Sequence, residues 1–176
     1  MFRHQKELQF EAKPDKPNPL IAKYLQELIG GQYGEMSVAM QYLFQGWSCR
    51  GEEKYKDMLM DIATEELGHV EMLATMVARL LEGAPVEDQE EAMKKDPTIG
   101  AIISGMNPQH AIVAGLGPRP ADSVGNPWSG GYIIASGNML ADFRANLNAE
   151  SQGRLQVARI YEMIDDRGVK DLLSVL

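Results

Sequence analysis

The chain has 176 residues, enough for one domain with a substantial core, and 44% hydrophobic with 24% charged residues is ordinary for a soluble globular protein. A net charge of −8 argues against nucleic acid as the main partner. The single Cys49 excludes an intrachain disulfide and fits a reducing cytosol, and with Arg50 as its sole basic neighbour it reads as a packing residue rather than a nucleophile.

Residues 1–17 read as an extended arm, because Pro14 and Pro17 block helix. The stretch MFRHQKELQFEAKPDKPNP has no apolar segment of the secretory kind. No apolar run in the chain reaches the ~18 residues needed to span a membrane. From residue 18 to residue 176 the pattern is that of one helical bundle domain. Asn18 is a good N-cap and Pro19 suits the first helical position, so a first helix is expected from there to about Cys49. Gly30, Gly31 and Gly34 lower its propensity and mark a close neighbour. Gly51 separates it from a second helix, about Glu52 to Leu81, giving an antiparallel hairpin that Gly83 and Pro85 end.

Residues 83–135 form a long connection. It holds a short charged helix candidate, EDQEEAMKKD, whose acidic run Glu87 to Glu91 reads as a solvated face, and then many Gly and Pro. So long a link is expected to be functional or a crossover between hairpins. A third helix is expected from about Ser136 to Ile164. Asp165, Asp166 and Gly168 break it, and Val169 to Leu176 begins a fourth apolar-periodic segment about two turns long. The expected fold is all-α: a ferritin-like four-helix bundle with a long crossover and a fourth helix cut short at the C-terminus.

Read at alternating spacings of three and four, the second helix gives the stripe Leu59, Ile62, Glu66, His69, Leu73, Met76, Leu80. Glu66 and His69 sit in the middle of a core-facing seam, where a charged carboxylate costs several kcal/mol unless it is paired or bound to metal. The first helix gives Ile21, Leu25, Leu28, Gln32, Glu35, Ala39, Tyr42, with Glu35 as the anomaly. The third gives Leu140, Phe143, Leu147, Glu150, Arg154, Val157, Tyr161, Ile164, with Glu150 as the anomaly. Each anomaly lies roughly 15 residues, or about 22 Å, from its helix start. Three helices thus deliver three Glu and one His to one depth of a shared core.

Exposing all three carboxylates would require exposing good core residues instead. An ion-pair network would leave one Arg154 against three carboxylates. Metal fits the charge balance better. Carboxylate with imidazole suits iron or manganese in a di-metal site, and zinc fits less well without a Cys cluster. Spacing alone does not choose between iron and manganese. The eleven Met fall within helical patterns and read as core filling.

The stretches GGQYGEMSVAMQYLFQGW, DIATEELGHVEMLATMVARLL and ASGNMLADFRANLNAESQGRLQVARIYEMIDD closely resemble the manganese catalases of the Bacillus-like branch, over essentially the whole chain. The resemblance implies a four-helix bundle holding two manganese ions that disproportionate hydrogen peroxide to water and dioxygen. It implies Glu35 as a terminal ligand, Glu66 as the bridging carboxylate, His69 as the imidazole on the first ion and Glu150 as the carboxylate on the second. It also implies Tyr42 as an outer-sphere hydrogen-bond donor, and a hexamer in which the arm and crossover wrap neighbouring subunits.

Two departures from the family pattern stand out. The family's second His has no counterpart after Glu150; its place, and that of a catalytic acid/base one turn before it, would fall beyond Leu176. Either the molecule continues past Leu176, or a true truncation binds the second metal weakly. His4 and His110 do not match that ligand and read as surface or packing residues. Where some members carry an Arg just before the third Glu, this chain has Ala149, and Arg154 one turn on is the candidate replacement charge. The rival functions are a spore-coat component built on the same fold and a di-iron ferritin-like oxidase. The corresponding locations are the cytoplasm, or the spore coat for the first rival.

Overall fold

Helix α1 (Pro19–Gly30) begins where its cap requires. The Asn18 side chain accepts from the Leu20 and Ile21 amides, and Pro19 occupies a position that needs no donor. A computed structural model describes residues 5–82, 105 and 107–176 of the chain. His4, the EDQEEAMKKD segment with its acidic run, and Gly83 and Pro85 lie outside the described residues. Among the described residues there is no strand, and no helix is long and apolar enough to cross a membrane.

The single first helix expected from Asn18 to Cys49 is instead two: α1, then α2 (Glu35–Ser48), joined by residues 31–34. Glycine is the cause. Gly31 turns to extended backbone, with φ −67° and ψ 168°, and Gly34 becomes the N-cap of α2. A Cβ on Gly30 would collide with the backbone of Ala121, so the crossover segment passes directly against this turn. Ser37 Oγ closes the break by donating to the Gly31 carbonyl at 3.1 Å. As a result Glu35 opens a helix rather than sitting in the middle of one.

Helix α3 (Glu53–Leu81) is continuous and runs antiparallel to α1 and α2. Asn18 N donates to Leu80 O at 2.8 Å at one end, and Gly46 lies against Leu59 and Met60 at the other. The stripe expected on it is buried or half-buried throughout.

The described part of the connection carries a short helix α4 (Pro108–Ile112), capped by Asn107, and a 3-10 turn at Gly130–Tyr132. Gln26 on α1 pins this connection: its Nε2 donates to the carbonyls of Arg119 and Ala121, and its Oε1 accepts from Arg119 N. His110 is fully buried, and its Nε2 donates to the same Gln26 oxygen at 3.1 Å, so it is a packing residue. Burial holds its imidazole below the usual histidine range, and the nearby Arg119 charge acts the same way.

Helix α5 (Met139–Met163) and the short α6 (Arg167–Leu173) complete the described chain. The apolar stripe expected on α5 is only partly buried. Leu140 is 63% exposed, Leu147 70% and Tyr161 36%, and Arg154 is exposed too. Among the described residues no element covers that face.

The arm does not stand off. Phe10 N donates to Met72 Sδ at 3.1 Å and Arg79 donates to the Ala12 carbonyl. Asp166, which caps α6 through Val169 N, also accepts from Asp15 N. The described arm residues therefore bind their own chain.

Two apolar clusters make the core. The larger joins α1 residues such as Leu25 and Leu28 to Met72, Leu73, Met76 and Leu80 of α3, with Val169 and Leu172 of α6. The smaller joins Val38, Tyr42 and Leu43 of α2 to Leu59 and Ala63 of α3. Along α3 the gap between them is filled by Glu66 and His69; between α1 and Val38 of α2 it is filled by the glycine turn and Glu35.

The close passage at Gly30 has a direct test. Gly30→Ala should cost about 1–3 kcal/mol through overpacking against Ala121. It should appear as a lower denaturation midpoint with an unchanged slope. An unshifted midpoint would show that the crossover does not press on this turn.

Candidate metal centre

Three groups meet in the gap between the clusters. Glu66 and His69 are three residues apart on α3 and share a face, and His69 Nδ1 lies 2.8 Å from Glu66 Oε2. Glu35 reaches in from the first turn of α2, its Oε2 3.8 Å from the same Nδ1. One donor atom from each lies within 4.8 Å of the others. The Glu35 carboxylate also sits at a helix N-terminus, where the free amides and the helix dipole favour negative charge.

The electrostatics of this trio are those of a cation site held together by protons. Burial pushes the Glu35 carboxyl up to about 8, against the hydrogen bond from His69. Burial alone would depress His69, but hydrogen bonds to Glu35 and Glu66 and their charges hold it up at about 10. Burial also works against the Glu66 charge, yet its bonds to His69 and Glu35 keep its carboxyl below the usual range. At neutral pH the trio therefore carries a proton on Glu35 and one on His69, in positions that a divalent cation would take over.

Glu150 lies on α5 and lines the same cavity, of about 820 Å³, as Glu35, Glu66 and His69. It stands outside the tight trio. Its Oε1 accepts a hydrogen bond from Tyr42 Oη at 2.7 Å. Burial pushes the Glu150 carboxyl up, against that hydrogen bond. Burial, then the bond to Glu150, pushes the Tyr42 phenol up as well, so Tyr42 keeps its proton and donates. Arg154, one turn beyond Glu150, forms part of the cavity wall but is exposed. Ala149 lines the wall beside Glu150.

A family model described as manganese containing catalase matches residues 1–176. The chain belongs to the manganese-containing catalases. It is 72% identical over 176 residues to a manganese catalase of Bacillus subtilis, and spans 64% of that protein's length. It is 47% identical to a manganese catalase of Lactiplantibacillus plantarum, spanning 65% of it. The crystal structure of wild-type KatB, a manganese catalase from Anabaena, superposes with a TM-score of 0.78 at 34% identity, covering 99% of this chain and 72% of that one. The all-α, ferritin-like fold expected from the sequence is that of this family.

The donor set fits the metal of the family name. Carboxylate oxygens with one imidazole nitrogen are hard-to-borderline ligands, suited to manganese or iron rather than to a thiolate-seeking ion. The convergence of two carboxylates in a half-enclosed cavity would be unfavourable without a cation to neutralise them.

Sequence reasoning missed one group beside the site. Gln41 and Gln45 of α2 flank Tyr42, and both bond to Asn146 of α5, one turn before Glu150. Three buried amides at helical spacing around the ligand positions were the available signal.

Because binding must displace the protons on Glu35 and His69, manganese affinity should rise with pH. An ion binding at the trio should release protons near neutral pH, and fewer as the pH rises past the Glu35 and then the His69 titration. Calorimetric titrations in buffers of different ionisation enthalpy count these protons. A pH-independent affinity would show that the trio does not bind the ion.

Proposed function

We propose that this protein disproportionates hydrogen peroxide to water and dioxygen with manganese held by Glu35, Glu66, His69 and Glu150. The observation that carries this reading is the meeting of Glu35, Glu66 and His69 in one gap between two apolar clusters, with Glu150 lining the same cavity. Glu66 is reached from both sides, by His69 on its own helix and Glu35 on α2; it is the proposed bridging ligand. Glu35 and His69 serve one ion, and Glu150 serves the second.

Manganese held by these residues would supply the two-electron couple that peroxide disproportionation needs. The chain's own groups prepare the place for that exchange. Tyr42 keeps its proton on Oη and holds Glu150 Oε1 in one orientation. Val38, Leu147 and Val157 contribute apolar surface to the cavity wall. Arg154 supplies a positive charge on the wall of an otherwise acidic cavity. The protein is inferred to work in the cytosol as a homo-oligomer, the hexamer that the resemblance implies; exposed Phe44 and Trp47 on α2 are consistent with burial in such an assembly.

The tests are direct. Protein loaded with manganese should release oxygen from peroxide, and protein loaded with iron should not match its rate. His69→Ala and Glu66→Gln should lose nearly all bound manganese and the oxygen release with it. Tyr42→Phe should keep the fold and lower the rate by roughly 10–100-fold, as losses of ligand-orienting partners do. Arg154→Gln should leave manganese content unchanged and reduce kcat/KM. Undiminished oxygen release in His69→Ala, or equal turnover with iron, would overturn the assignment.

A further inference from the structure

Besides the acidic trio, one other buried polar cluster spans α2 and α5. Gln41, Gln45 and Asn146 are 4%, 3% and 3% exposed, and five hydrogen bonds join them to one another and to the Ile134 backbone. Gln41 Nε2 and Gln45 Nε2 donate to Asn146 Oδ1 at 2.8 and 2.9 Å. Asn146 Nδ2 donates back to Gln45 Oε1 at 2.7 Å. Ile134 completes the set with its backbone: its N donates to Gln41 Oε1 at 2.9 Å and its carbonyl accepts from Gln45 Nε2 at 2.7 Å. The chain just before α5 is thereby tied to the same three amides.

Among the described residues, α5 has few other fully buried anchors, with Ile160 and Val157 packing on the larger apolar cluster near its C-terminal end. Of its 25 residues, only Asp142, Asn146 and Ile160 are fully buried. Asp142 spends its carboxylate locally, on Ser136 and the Gly137 amide. Phe143 and Ala149 touch the smaller apolar cluster only in part, and Leu140 and Leu147 are exposed. Apolar contact tolerates sliding, whereas a closed ring of amide bonds has one register. A slip of one residue would swing Glu150 by about 100° around the helix, away from Tyr42. Asn146 lies on the same face as Glu150, four residues before it, and Gln41 and Gln45 bracket Tyr42.

We propose that the Gln41–Gln45–Asn146 amide cluster sets the register of α5 and so aims Glu150 at Tyr42 and the metal cavity. Asn146 is thus a positioning residue, and its role toward the second ion rests on the function proposed above. Its role toward the Tyr42–Glu150 pair does not.

The test therefore carries two readouts on the full chain. The first is the NMR signal of a ring-labelled Tyr42, calibrated with Glu150→Ala, which removes its acceptor. The second is manganese bound per chain at saturation. Asn146→Leu should move the Tyr42 signal toward its position in Glu150→Ala and lower bound manganese at least two-fold. Gln41→Met, which removes only two of the five bonds, should move the signal in the same direction by a smaller step, and decides the matter if Asn146→Leu does not fold. Ile160→Ala, a core truncation on the same helix away from the cluster, should lower the melting temperature and leave the Tyr42 signal in place. A Tyr42 signal unmoved by both amide variants, or moved as far by Ile160→Ala, would overturn the proposal. Wild-type protein that binds no manganese would sink the catalase reading instead, while the Tyr42 signal still decides the register.

Discussion

Everything in this fold is arranged around the cost of holding acidic groups inside it. Glu35 and Glu66 lie in a gap between two apolar clusters, and Glu150 faces the same space. Uncompensated carboxylates in such a place would be among the most unfavourable groups a domain could bury. In the chain by itself, protons on Glu35 and His69 supply the compensation. A divalent cation would bring the same two positive charges on one centre, and that exchange would turn a structural burden into a binding site.

The surrounding structure serves this exchange in separable ways. The long α3 supplies Glu66 and His69 with a fixed three-residue offset, independent of any tertiary detail. The glycine turn between α1 and α2 places Glu35 at a helix start, where backbone amides favour its charge. Tyr42 ties the acidic residue of α5 to α2 with a single short hydrogen bond. The arm and the crossover brace this frame from outside: Phe10 and Ala12 hold to α3, and Arg119 and Ala121 hold to Gln26 of α1.

The two sides of the cavity differ in how firmly they are built. Glu35, Glu66 and His69 stand on helices locked together by apolar packing along most of their length. Glu150 stands on a helix whose fully buried residues are two polar ones, Asp142 and Asn146, and Ile160, with exposed leucines along one face. Rigid packing suits the groups that must converge within a few ångströms.

The sequence by itself determined the helical class, the cap at Asn18, the continuous α3 and the placing of Glu66 and His69 on a buried stripe. These follow from local rules, since capping and a 3.6-residue period act within a few residues of chain. Membership of the family was equally legible, because the three motif stretches carry it without reference to shape. The break at Gly31–Gly34 was visible only as weak propensity; the close passage of Ala121, far along the chain from Gly30, was not. Nor could periodicity tell that Leu140 and Leu147 face outward, because an apolar stripe records what a face can pack against and not whether anything is there. The amide ring of Gln41, Gln45 and Asn146 was hidden for a related reason: polar residues on a helix look solvent-facing until a second helix supplies their partners. Only tertiary structure brings donors and acceptors from distant segments within bonding distance, and only there does a buried amide become cheaper than a leucine.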